Sequence, residues 1–282
     1  MLRAFRNYLL DLRDRQRIAA ALGRGGAMMN ARKIDPTAPS TWEFSGFSQN
    51  GEDGVVDVLR SHLGSSNRYF VEIGAGDGIE NNTAWLAFAE KYSGIMVEGD
   101  ARRAARAARI LASVNLGVEC HHLFVVPEIV PRIASLALHR DPDVLSLDID
   151  GCDYYVLRAV LDAGMRPRIL VVEYNSVYGP ERSATIEYQE RFDFVSAHPT
   201  QLYYGVSIAG WRTYLEKQGY RFVTVERNGV NAFFVDPVHF DSGFLQGLRG
   251  LGFAENHYQL RKFRVPSAQQ FSLIASQRFV SI

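Results

Sequence analysis

Five short apolar runs, separated by stretches of helical period, constrain this chain more than any other feature. The runs cover 69–73, 94–98, 118–125, 144–148 and 169–174, and they are rich in β-branched and aromatic residues. Helices are expected between them over 82–92, 101–113, 128–138 and 153–164. Strands alternating with helices of this length form βαβ units and a parallel sheet. The runs are apolar throughout, as strands covered on both faces are. A helix over 207–218 leads into a run at 221–226, and Asn228-Gly229 turns the chain into a further run at 231–235, which is a hairpin signal. The expected fold is α/β: a doubly wound, mostly parallel seven-stranded sheet ending in an antiparallel hairpin, with helices on both faces and a helical N-terminal extension.

The 282 residues, 47% of them hydrophobic, suffice for one sizeable core with extensions. The spacing divides them into an N-terminal helix and linker at 1–40, the α/β domain at 41–240 and a C-terminal tail at 241–282. Lys and Arg total 31, as do Asp and Glu, so no whole-chain charge draws the protein to nucleic acid. The first 33 residues are nevertheless basic. Met1, Phe5, Tyr8, Leu9 and Leu12 recur there at helical spacing among arginines, and a helix is expected over 2–22, ending near Gly23, Gly25 and Gly26. Asp11 and Asp14 dilute its basic face, which favours packing on the body or on a second subunit over contact with an anionic membrane. Cys120 and Cys152 form neither a zinc cluster nor a disulfide framework. With no membrane-length apolar run and no secretory signal, a cytoplasmic setting is expected.

The chemistry is concentrated after the first run. Glu72-Ile73-Gly74-Ala75-Gly76-Asp77-Gly78 places a glycine-rich turn where a ligand can approach the backbone closely. The spacing departs from a dinucleotide fingerprint, because Ile79 stands at its last glycine. Glu72 and Asp77 would also repel a pyrophosphate. A cationic ligand suits them better, and the sulfonium and amino groups of S-adenosylmethionine are cationic. Glu98, at the end of the second run, can accept both hydroxyls of a ribose. Glu72, Gly74, Gly76, Asp77, Glu98 and Asp148 are therefore the expected cofactor-binding residues.

The glycine turn resembles the first motif of Rossmann-type methyltransferases. The wider pattern, over residues 45–237, resembles the FkbM-type family. Its pieces are Ser48-Gln49-Asn50-Gly51-Glu52-Asp53, Glu80-Asn81-Asn82-Thr83, Val97-Glu98-Gly99-Asp100, Leu147-Asp148-Ile149-Asp150-Gly151, Val172-Glu173-Tyr174-Asn175 and Val230-Asn231-Ala232-Phe233-Phe234-Val235. The resemblance implies O-methylation of a sugar, glycan or hydroxylated small metabolite. Here Asp148-Ile149-Asp150 stands where many relatives carry Asp-x-Glu. A methyltransferase-like scaffold without turnover, or a nicotinamide-dependent oxidoreductase, is the competing class.

Asp148, Asp150, Asp153, Glu173 and Asn175 converge beyond the fourth and fifth runs. So many carboxylates together call for a positive partner, either the sulfonium or a divalent cation such as Mg²⁺. Asp150 is the expected catalytic group, drawing the proton from an acceptor hydroxyl. Asp148, Glu173 and Asn175 are the expected metal ligands. Asn50 can cap a helix whose apolar positions are Val55, Val56, Leu59 and Leu63, and in the alternative reading Asp148 touches the cofactor while Asp150 and Asp153 cap the next helix. His121 and His122 could pack near the ligand or serve as base, and Cys152 reads as a small filler. The aromatic stretch from 175 to 204 is expected as a lid or binding loop, with Tyr203, Tyr204 and Ser207 touching the acceptor. Assembly into a homo-oligomer is one expectation for the chain.

Overall fold

The computed structural model describes residues 2–282, and their side chains from residue 12 onward. The first helix, α1 (Leu2–Ala31), is longer than the glycines suggested. Gly25 does not end it but lets it approach the body: a Cβ there would lie 2.4 Å from Trp85 and 3.0 Å from the Gly46 Cα. Ile18 and Ala21 are buried, and Arg32 forms a buried ion pair with Asp57 at 2.5 Å. The side chains of Met1, Phe5, Tyr8 and Leu9, on which the amphipathic reading rests, lie outside the described residues.

Helix α2 (Glu52–Ser61) precedes the first strand, β1 (Tyr69–Ile73). Its N-cap is Gly51 and not Asn50, whose amide instead donates to Glu52. Then follow α3 (Ala84–Phe88), β2 (Ser93–Glu98), α4 (Ala101–Ala112), β3 (Val118–His122), α5 (Val130–Leu136), β4 (Val144–Leu147), α6 (Asp153–Asp162) and β5 (Ile169–Glu173). The chain continues through β6 (Ala184–Ile186), α7 (Phe194–Ala197), α8 (Ile208–Lys217), β7 (Arg221–Val225) and β8 (Asn231–Val235).

The main sheet has seven strands in the order β3-β2-β1-β4-β5-β8-β7. Strands β1 to β5 run parallel, while β8 is antiparallel to β5 and to β7. The apolar runs are continuous because successive side chains enter different cores. Phe70, Met96, Val171 and Phe233 join α2, α3 and Trp85 on one face. Val71, Ile95, Val172 and Phe234 join α5, α6 and α8 on the other. Both faces of the central strands are buried, so most of their positions are apolar, with Glu72, Ser146 and Glu173 as buried polar exceptions.

The segment expected as a tail contains α9 (Ser242–Gly247), α10 (His257–Phe263), α11 (Ser267–Ser272) and β9 (Phe279–Ser281). Strand β9 pairs antiparallel with β6, which ties the C-terminus to the stretch after β5. No helix among the described residues is long and apolar enough to cross a membrane.

Candidate active site

A cavity of 1020 Å³ opens beyond the ends of β1, β2 and β4. Strand order reverses at β1, and ligands in open α/β sheets sit at that point. Gly74 makes the junction possible. Its φ is +93°, and a Cβ would stand 1.6 Å from the carbonyl oxygen of Asp148. Only a residue without a side chain lets the ends of β1 and β4 meet in this way.

Glu98 is fixed from two sides. Its Oε2 accepts from the Gly76 amide and its Oε1 from the Asp100 amide, each at 2.7 Å. Asp100 in turn caps α4, accepting from the amides of Arg102 and Arg103 at 2.9 Å. Glu98 lines the cavity, and each oxygen keeps capacity for a further hydrogen bond. Phe124, 55% exposed, stands in the same wall beside Gly99.

Asp77 also lines the cavity but is already paired, with Arg17 of α1 at 2.5 Å and Arg106 of α4 at 3.3 Å. Burial pushes its carboxyl upward, yet the hydrogen bond and charge of Arg17 outweigh this and hold it below the usual range. Glu72 does not line the cavity. It is 1% exposed and faces Asn82, Thr83 and Ser146 beneath the turn, and its Oε2 has no hydrogen-bond partner. Burial raises its pKa to about 7, against the pull of those neighbours' hydroxyls and amides. Alternation along β1 explains the placement, since Ile73 and Glu72 must face opposite cores.

Asp148, Asp150 and Glu173 each bring a carboxylate oxygen within 4.8 Å of the others. Burial first, then mutual repulsion, raises the pKa of Asp148 and Glu173, and burial also raises Asp150 against the charge of Arg103. Asp150 has φ +52°, a left-handed conformation that non-glycine residues adopt at a cost. Asp153 supports it: its two oxygens accept from Ile149 at 3.0 Å and Gly151 at 2.9 Å, which clamps the loop around Asp150.

Several expected residues are engaged elsewhere. Asn175 is not available as a ligand. Its oxygen caps the turn at Val177, and its amide donates to the carbonyls of Leu202 and Tyr204 at 2.8 and 3.1 Å. Ser207 is fully buried and caps α8 through Gly210, so it does not reach an acceptor. Tyr203 is buried with its hydroxyl on the carbonyl of Arg278, away from the large cavity. His121 pairs with Glu119 and His122 with the Gly99 carbonyl, and neither lines the cavity. The Cys152 thiol lines the cavity, but burial raises its pKa to about 11, so it is not a thiolate at neutral pH. Tyr204 is buried beside Asp150 in a separate small cavity.

The arginine wall formed by Arg17, Arg102, Arg103 and Arg106 was not anticipated. A signal existed for three of these, which follow the end of β2 directly. Arg17 gave none, because nothing in the chain's period shows that α1 crosses this edge.

No family model and no curated protein matches the chain. Solved structures do resemble it. One is an O-methyltransferase from Bacillus cereus in complex with SAH, at 16% identity over 78% of this chain and 89% of that one, TM-score 0.43. Another is the O-methyltransferase TomG from Streptomyces achromogenes, involved in tomaymycin synthesis and in complex with SAM, at 18% identity over 74% and 93%, TM-score 0.44. A third is the [4+2]-cyclase SpnF, at 12% identity over 62% and 61%, TM-score 0.37. Likeness this loose carries no weight for activity, since one fold hosts many chemistries. The functional reading rests on the residues of the cavity.

Proposed function

We propose that this chain is an S-adenosylmethionine-dependent O-methyltransferase of the FkbM type, acting on a hydroxyl of a sugar, glycan or small hydroxylated metabolite. The observation that carries the reading is the Glu98 carboxylate, fixed by the Gly76 and Asp100 amides at the edge of the large cavity. A pair of acceptor oxygens held this way matches the two donors of a ribose diol.

The rest of the wall fits the same cofactor. Gly74 and Gly76 let a ligand lie against the backbone, Phe124 offers a flat apolar face in the same wall as Glu98, and Asp148 brings a carboxyl that a bound cationic group would favour in its ionised form. A nicotinamide dinucleotide fits poorly. Its pyrophosphate needs a helix N-terminus directly after the turn, whereas the next helix begins ten residues after Gly74, at Ala84, and Asp77 and Glu80 line the intervening stretch. When bound, S-adenosylmethionine supplies an electrophilic methyl group.

The task left to the protein is to hold the acceptor and remove its proton. Asp150 suits this second role. It stands in the cavity wall on a loop clamped by Asp153, and its raised pKa brings it nearer the working pH of a general base. A divalent cation is a second occupant with its own support. Glu173 Oε2 is buried without a hydrogen-bond partner, and Asp148, Asp150 and Glu173 converge within 4.8 Å. Those three carboxylates would hold the ion, which would lower the pKa of a hydroxyl bound to it.

The test is a methyl-transfer screen with radiolabelled S-adenosylmethionine over glycans, nucleotide sugars and small hydroxylated metabolites. Label appearing on an acceptor oxygen is the expected outcome. Tight cofactor binding with no transfer to any acceptor would favour a binding scaffold.

A further inference from the structure

The N-terminal helix reaches the large cavity. Arg17 of α1 lines it beside Gly76, Asp77 and Glu80. One turn earlier, Asp14 anchors the helix. It is 2% exposed and accepts from Arg106 of α4, through Nε at 3.3 Å and through Nη2, while Arg109 Nη2 also stands 3.3 Å away. Spacing alone reads Asp14 as a diluent of a basic face. In the fold it is the buried counter-ion that fixes α1 on α4, and so fixes where Arg17 stands.

Arg17 and Arg106 both face the glycine turn, and they differ in what they have left to offer. Arg106 divides its nitrogens between Asp14 and Asp77. Arg17 donates to Asp77 through Nη1 at 2.5 Å, but its Nη2 stands 4.0 Å from Glu80, beyond hydrogen-bond reach. The Arg17 side chain is 31% exposed. A guanidinium carries five N–H groups in a planar fork that matches a carboxylate, so most of this fork is open to a ligand.

The order of groups along S-adenosylmethionine decides which of them meets it. Glu98 ends β2 and suits the ribose, and Phe124 follows β3 and suits the base. Strand β2 lies between β3 and β1, so the amino-acid end runs the opposite way from the base, over the turn after β1. That end carries an ammonium and a carboxylate. Asp77 and Glu80 in the same wall favour the first and oppose the second. A carboxylate there needs a cation.

We propose that Arg17 recognises the amino-acid carboxylate of the cofactor, which makes the N-terminal helix a working part of the site. This role rests on the methyl-transfer reading. Asp77 is then a positioning residue, which holds the Arg17 fork in place and does not touch the cofactor itself.

Calorimetric titration of the full chain with S-adenosylhomocysteine and with its decarboxylated form, which keeps the ammonium and lacks the carboxylate, tests this. The parent should bind S-adenosylhomocysteine at least tenfold more tightly than the decarboxylated form. Arg17→Met should close that gap to within twofold, by weakening S-adenosylhomocysteine and leaving the decarboxylated form unchanged. Arg17→Gln is the second neutral variant if Arg17→Met does not fold, and Arg17→Lys, which keeps the charge, should retain part of the gap. The proposal is overturned if the gap persists in the neutral variants. It is also overturned if both ligands weaken together, since Arg17 would then only brace the turn through Asp77. A parent that binds neither ligand sinks the methyl-transfer reading itself, and this role with it.

Discussion

The Oε2 of Glu98, at the end of β2, accepts the Gly76 amide at 2.7 Å, so the glycine turn after β1 and the carboxylate after β2 form one rigid unit. A ligand that uses either must meet both. Glu98→Ala removes a charged acceptor and frees the turn. It should weaken S-adenosylhomocysteine by about 1.5–3 kcal/mol, roughly 10- to 150-fold, in a calorimetric titration. Unchanged affinity would remove Glu98 from the cofactor site.

Among the glycines, Gly74 has the least room for a side chain. Gly74→Ala places a methyl group 1.6 Å from the Asp148 oxygen at φ +93°, and backbone strain and overpacking add. The variant should lose about 3 kcal/mol or more of stability, read as a lower urea midpoint. A midpoint within error of the parent would mean that the two strand ends are not held as described.

Asp150→Asn separates chemistry from binding. The substitution keeps the shape and removes the base, so turnover should fall by about 10²–10⁴ with cofactor affinity nearly unchanged. Chelation divides the two versions of the site. Activity lost with EDTA and restored by Mg²⁺ or Mn²⁺ indicates a cation on Asp148, Asp150 and Glu173, whereas indifference to chelator leaves Asp150 as a simple base. Unchanged turnover in Asp150→Asn contradicts both.

The glycine turn, Glu98 and the strands were legible in the sequence because each reflects a local requirement. A strand covered on both faces is apolar at most positions, and a tight turn must spend glycine. What was not legible depends on contacts distant in sequence. Gly23, Gly25 and Gly26 read as a helix stop, yet α1 continues to Ala31, and Gly25 serves as the point where it meets Trp85. Asn175 and Ser207 carry the right groups for a site but spend them on local caps, a competition that spacing does not reveal. The helices of the C-terminal segment span six or seven residues each, too short to show a period.

Glu72 links stability to pH. The unfolded side chain titrates near 4.5 and the folded one near 7, because burial disfavours its charge. Between those values the native chain keeps a proton that the unfolded chain has released, so stability falls as pH rises through the interval and levels off above it. The full effect is on the order of 3 kcal/mol. Glu72→Gln removes this slope. Urea unfolding at pH 5 and pH 8 should show the variant gaining on the parent at the higher pH, and a constant difference between the two would refute the assignment.

A cavity shaped for a nucleoside cofactor and not for a dinucleotide discriminates between the two in solution. Isothermal titration of the full chain with S-adenosylhomocysteine and, separately, with NAD tests it most directly. S-adenosylhomocysteine should bind saturably, with no heat from NAD. Binding of NAD without S-adenosylhomocysteine would contradict it.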